Sequence, residues 1–204
     1  MPQGKGRRAG LRAVAAVLAL AAAALMGSGP ARADGPPLQG AFGKAFTLAD
    51  EPYPAPDVAF RTRDGSEVTL QDFRGRVVLL NFWATWCAPC VEEMPTLDAL
   101  EADLKDEGLS VLAISQDRGG LDTVQPFLRD ELEVQELGIY LDPKGRLAQA
   151  FGLRGMPTTY LIDARGRVVG GMEGPADWNA PEVKALVRHF LQRGRESGVI
   201  ETGG

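Results

Sequence analysis

The 204-residue chain has two cysteines and one histidine, and its longest apolar run is 14 residues, Ala13 to Met26. Each scarcity excludes something. Crossing a bilayer as a helix takes ~20 apolar residues, so that run is short for a permanent span. The cysteines, Cys87 and Cys90, have no second pair to complete a four-ligand metal site. With only Ala88 and Pro89 between them, a bridge closes too small a loop to constrain the unfolded chain strongly. The spacing suits a bond that is made and broken. The single histidine, His189, falls in the last expected helix and reads as an exposed helix residue, far along the chain from Cys87.

Acidic residues are absent from the start of the chain, the first being Asp34. There, Lys5, Arg7, Arg8 and Arg12 precede the apolar run, and Ala31-Arg32-Ala33 follows it. A basic region, a short apolar region and an A-x-A site form the order of a secretory signal peptide. Residues 1–33 are expected to be that signal, cleaved after Ala33 or kept as an anchor through residues 13–26. No cysteine lies near the site, which excludes lipoprotein attachment. Arg7-Arg8 leaves both general secretory and twin-arginine export open. Removing residues 1–33 takes five basic and no acidic residues, leaving 17 basic against 27 acidic, a net charge of −10. So acidic a chain is poorly suited to nucleic acid or anionic membranes. Export also makes a disulfide permissible.

Residues 34–57 are rich in Pro and Gly without a sustained period and read as a linker. From Val58 the pattern becomes regular. Val58 to Phe60 and Val68 to Leu70 flank Asp64-Gly65, a hairpin signal. Val77 to Phe82 is nearly all apolar, as a strand buried on both faces should be. A helix is expected to about Asp106, with Met94, Leu97, Leu100 and Leu104 on one face. Strands are expected over 109–114, 138–141, 158–162 and 167–172, with a helical stretch over 121–132. A last helix should run from about Asn179 to Gly194. This order implies an α/β sandwich around a mixed sheet, with residues 58–194 as the domain and 195–204 as a flexible tail.

Cys87 thus falls where the central strand turns into a helix. A thiolate there faces unsatisfied backbone N–H groups and the positive end of the helix dipole, which lowers its pKa. Pro89 suits the first helical turn, where its missing N–H costs nothing. Cys90, inside that turn, is shielded and close enough to attack a mixed disulfide at Cys87. Thiol–disulfide exchange is the chemistry indicated.

FWATWCAPC (Phe82 to Cys90) followed by GMPTTYLID (Gly155 to Asp163) resembles the thioredoxin fold. CAPCVEEMP and EGPADW (Glu173 to Trp178) extend the resemblance to the exported TlpA/ResA-like family, its TlpA members above all. The match runs from about Ala55 to Leu191. It implies a thioredoxin-like three-layer sandwich, a central mixed sheet flanked by helices, with an extra N-terminal β-hairpin. It implies further that Pro157 is a cis-proline beside the nucleophilic cysteine, that Met156 offers its backbone to an extended substrate, and that Trp86 shields the rim of the site. Trp83 reads as core. Glu93 lies 300° on from Cys90 and therefore within 60° of its face, whereas Glu92 lies 200° away. Glu93 also matches an acidic residue that such proteins keep under the disulfide, where burial would raise its pKa and let it take a proton from Cys90. Asn81 departs from thioredoxin itself, which has a buried aspartate at that position.

Two other classes are alternatives, the first of them with a related fold. A Sco-like copper carrier would need Cys-x-x-x-Cys and a well-placed histidine. A thiol peroxidase would need threonine and proline where Ala84 and Leu80 stand. An oxidoreductase fits best, and the uncharged Ala88-Pro89 favours a reductant. No cofactor and no metal is expected. The resemblance implies exported client proteins with cysteine pairs, awaiting metal or haem, and an upstream membrane thiol reductase. The chain is expected to act as a monomer in the periplasm or another extracytoplasmic space, without nucleic acid.

Overall fold

The computed structural model describes Met1 and residues 35–200; the expected signal segment, apart from Met1, lies outside the described residues, within 2–34, as do 201–204. The central strand, β4 (Val77–Trp83), is buried along its whole length. It pairs in parallel with β5 (Leu109–Ser115) and antiparallel with β7 (Thr158–Ile162). Both flanks of β4 are therefore occupied, and its sequence shows no polar alternation because side chains on both of its faces are buried. Eight strands, among them β1 (Thr47–Pro54), β2 (Phe60–Thr62) and β3 (Glu67–Val68), run in the order β1-β8-β7-β4-β5-β6-β2-β3, with β6 (Tyr140–Leu141) parallel to β5 and β8 (Arg167–Glu173) antiparallel to β7. The hairpin of β2 (Phe60–Thr62) and β3 (Glu67–Val68) closes one edge, shifted a little from the expected bounds.

Alternation along β4 supplies both layers of core. Val77, Leu79 and Trp83 face a cluster built with α2 (Ala88–Leu104), α3 (Leu121–Pro126) and α5 (Pro181–Glu196). Val78, Leu80 and Phe82 face a second cluster that includes Leu70 and, from α4 (Arg146–Ala150), Leu147 and Ala148. The expected mixed sheet between helical layers is thus the observed fold. Beyond α3 the chain continues as a π-helical turn, Phe127–Glu131.

Two expected boundaries need correction. Residues 34–57 are not simply a linker: they hold α1 (Gly40–Ala45) and β1 (Thr47–Pro54), the latter paired with β8. Phe42 and Phe46 anchor this arm in the core, and Phe42 meets Trp178 edge-on at 6.0 Å between ring centroids. The close approach of β1 needs Gly170, where a Cβ would lie 2.6 Å from the Thr47 carbonyl oxygen. Frequent Pro and Gly hid this arm, because only two aromatics ahead of the strand, Phe42 and Phe46, carry its burial signal. The tail is likewise structured as far as Ile200. Helix α5 passes through Gly194, and Ile200 folds back to bury itself where a Cβ on that glycine would be 2.5 Å away. Gly194 therefore accommodates the returning chain and does not end the helix.

Candidate active site

The backbone turns sharply between β4 and α2, and Cys87 is the N-cap of that helix. Its carbonyl accepts hydrogen bonds from the N–H groups of Cys90 and Val91, both at 3.0 Å. Pro89 lies in the first turn, where no intrahelical donor is required of it. The same turn brings the two sulfurs together, and Cys87 and Cys90 form a disulfide. The two ends of this bond differ in access. Cys87 retains 7% of its surface, whereas Cys90 has none. Beside Cys87, Trp86 is 70% exposed, an indole presented to solvent at the head of the helix. Trp83 instead packs in the core, as expected, and its ring nitrogen donates to the Ala113 carbonyl.

Pro157 follows a cis peptide bond from Met156. Its neighbour Thr158 pairs with Phe82 at the end of β4, so the register carries Met156-Pro157 to the end of the sheet from which the cysteine turn departs. Pro157 is buried and Met156 half-buried, packed against the cluster that contains both cysteines. The structure thereby gathers Trp86, Cys87, Cys90, Met156 and Pro157 around one end of the central strand.

Glu93 lies one helical turn beyond Cys90 and is 2% exposed; Glu92 points to solvent. The Glu93 carboxyl is surrounded by donors. Asn81 Nδ2 reaches Oε1 at 2.7 Å, while Trp178 Nε1 at 2.8 Å and the Ala176 N–H at 3.1 Å reach Oε2. Burial pushes the Glu93 pKa up, and these three hydrogen bonds counteract only part of that rise. Asn81 also donates to Thr159 Oγ1 at 2.9 Å, which ties β4 to β7 beneath the carboxyl. A raised carboxyl one turn from a buried sulfur is suited to receiving and returning a proton.

A second buried carboxylate, Asp117, holds the cysteine turn from the other direction. It accepts from the Thr85 N–H at 3.0 Å, from Thr85 Oγ1 at 2.7 Å and from Ser115 Oγ at 2.8 Å. Thr85 stands two residues before Cys87, so the carboxylate fixes the loop that delivers the sulfur. Neither Asp117 nor Trp178 was singled out as a site residue from the sequence. Trp178 had only its place in EGPADW, and Asp117 only its place after the buried strand β5. His189 lies on α5, edge-on to Phe190, with its pKa lowered first by burial and then by Arg193.

A family model, the AhpC/TSA family, matches residues 53–170, more than half of the chain. The chain belongs to this family. Within it, the chain is 32% identical over 121 residues to the thiol-disulfide oxidoreductase ResA of Bacillus thuringiensis subsp. konkukian, across 59% of the chain and 68% of that relative. Among solved structures it is similar to a Chlorobium tepidum protein assigned as a thiol:disulfide interchange protein DsbE, at 33% identity and a TM-score of 0.62. That likeness covers 71% of the chain and 99% of the other. A secreted thiol-disulfide isomerase from Corynebacterium glutamicum is 26% identical with a TM-score of 0.60, over 76% of the chain and 94% of the other. With its Cys87–Cys90 pair in a thioredoxin-like fold, this family member is a thiol–disulfide oxidoreductase of the ResA/DsbE type.

Proposed function

We propose that the chain is an exported reductant of cysteine pairs in proteins that await metal or haem, acting through Cys87. The observation that carries this reading is the difference in access between the two sulfurs at the head of α2. In the reduced form, the Cys87 thiolate attacks a client disulfide, forming a mixed disulfide and releasing one client sulfur as thiolate. Cys90 gives its proton to Glu93 and attacks Cys87, which restores the Cys87–Cys90 disulfide and frees the second client sulfur. Two electrons pass to the client, so a separate dithiol reductase must reset the pair. Met156, beside Pro157, offers backbone to the extended client, and Trp86 shields the rim.

Export is supported by the signal-like residues 1–33 and by likeness to a secreted isomerase. Among the described residues no helix is long and apolar enough to cross a membrane. The direction of electron flow rests on the uncharged Ala88-Pro89, which leaves the Cys87 thiolate without the extra stabilisation that makes a strong oxidant.

The test is trapping. Reduced Cys90→Ser protein should accumulate stable mixed disulfides through Cys87 with exported client proteins, and Cys87→Ser should form none. Alkylation of the reduced wild type should label Cys87 first. Trapping through Cys90 would reverse the assignment, while tight copper binding or rapid peroxide consumption by the pair would replace the reductant reading with a carrier or a peroxidase.

A further inference from the structure

Asn81 is fully buried, and its side-chain oxygen Oδ1 has no hydrogen-bond partner among the described residues. A buried acceptor left without a donor costs ~1–3 kcal/mol, so the arrangement calls for a reason. The reason lies in what Glu93 needs in its two protonation states.

All three groups bonded to the Glu93 carboxyl are donors: Asn81 Nδ2, the Ala176 N–H and Trp178 Nε1–H. That set suits a carboxylate. A protonated carboxyl carries an O–H that must find an acceptor. The Ala176 N–H and the Trp178 indole, which occupy Oε2, have none to offer. An added proton therefore belongs on Oε1, which faces Asn81. The asparagine is the one partner that holds both a donor and an acceptor on a single planar group, and its acceptor is the unpartnered Oδ1.

We propose that Asn81 is a positioning residue whose amide reverses when Glu93 gains a proton. With Glu93 ionised, Nδ2 donates to Oε1 and to Thr159 Oγ1. With Glu93 protonated, the amide turns over and Oδ1 accepts from both the Oε1–H and the Thr159 hydroxyl. Thr159 can follow because a hydroxyl donates as readily as it accepts. Each orientation leaves one amide atom unpartnered, Oδ1 in the first and Nδ2 in the second. The second orphans the two N–H donors of Nδ2, and it is favoured only when Glu93 carries a proton, because the added O–H then finds its acceptor. Without the reversal, the carboxyl O–H would face an N–H, donor against donor.

The groups around the carboxyl come from each element packed against it: Asn81 from β4, Ala176 and Trp178 from the segment before α5, and Cys90 one turn earlier on α2. No charged side chain is among those that shift Glu93. The inference rests on Glu93 being the group that takes the Cys90 proton, and it adds that the asparagine makes both of its states tolerable inside the protein.

The test is a nuclear magnetic resonance titration of the full-length oxidised protein, with the Glu93 carboxyl carbon and the Asn81 side-chain amide followed together. At high pH the Asn81 amide protons should show contacts to the Thr159 side chain. Those contacts should be lost along the same titration curve as the Glu93 carbon, and Glu93→Gln should abolish their pH dependence. Contacts to Thr159 that persist while the Glu93 carbon titrates would overturn the reversal, and so would an amide that moves with pH in Glu93→Gln. Neither result bears on whether Glu93 serves Cys90. The rate of mixed-disulfide resolution in Glu93→Gln decides that separately.

Discussion

Two buried carboxylates serve the same short turn, and they do so differently. Asp117 is 4% exposed and is met by two hydroxyls and a backbone N–H, two of the three from Thr85 on the cysteine loop. Glu93 is 2% exposed and is met by an indole, an amide and a backbone N–H from distant parts of the chain. Asp117 fixes where the Cys87 loop stands. Glu93 holds a carboxyl at a raised pKa one turn from Cys90. Burial of a carboxyl group is common to both, so what distinguishes them is what their donors are attached to. Donors from the loop itself make a staple. Donors from a scaffold of β4, Trp178 and the Ala176 backbone leave a carboxyl whose protonation can change without moving the loop.

If that contrast holds, Asp117→Ala should produce the largest loss of stability. It leaves the Thr85 N–H, the Thr85 hydroxyl and the Ser115 hydroxyl without their acceptor, and the expected cost is about 3 kcal/mol. Urea unfolding measures it. A loss below about 0.5 kcal/mol, the range of an ordinary surface change, would show that Asp117 is not a staple.

Glu93 should show a smaller effect on stability with a characteristic pH dependence. Its folded pKa lies above the ordinary value of 4.5, so between those two values the folded protein holds a proton that the unfolded chain has released. Its contribution is therefore fully present below about 4.5 and is lost as pH rises through the raised folded value. Compared with Glu93→Gln, the wild type should gain in relative stability as pH falls from 8 to 4.5. A difference between the two proteins that stays constant over this range would remove the raised pKa.

How far the sequence foretold this contrast depends on the range of each interaction. Glu93 was legible because the helical period is local: 100° per residue places it on the Cys90 face and Glu92 off it. The cysteine turn was legible for the same reason, from an apolar strand running into Cys-x-x-Cys and a proline at the helix start. The partners that set the Glu93 environment were not. Trp178 and Ala176 lie 85 and 83 residues away along the chain, and Thr159 lies 78 residues from Asn81. Periodicity carries no information about such pairings; only the sheet order does. Asp117 was missed because an acidic residue after a strand usually reads as a solvated turn. The α1–β1 arm was missed because Pro-rich and Gly-rich composition outweighed Phe42, which reaches Trp178, and Phe46, which packs on Phe42.

The central claim is that the Cys90 proton travels through Glu93. Its most direct test is the rate at which a preformed mixed disulfide at Cys87 resolves, measured from pH 5 to 9 in the wild type, Glu93→Gln and Glu92→Gln. Full general acid–base assistance is worth ~10²-fold or more. A proton that can also leave through water should make the loss in Glu93→Gln about tenfold, with a flattened pH profile. Glu92→Gln, which alters only an exposed carboxylate, should match the wild type in both rate and profile. Identical profiles for the two variants would contradict the account and send the proton through solvent instead.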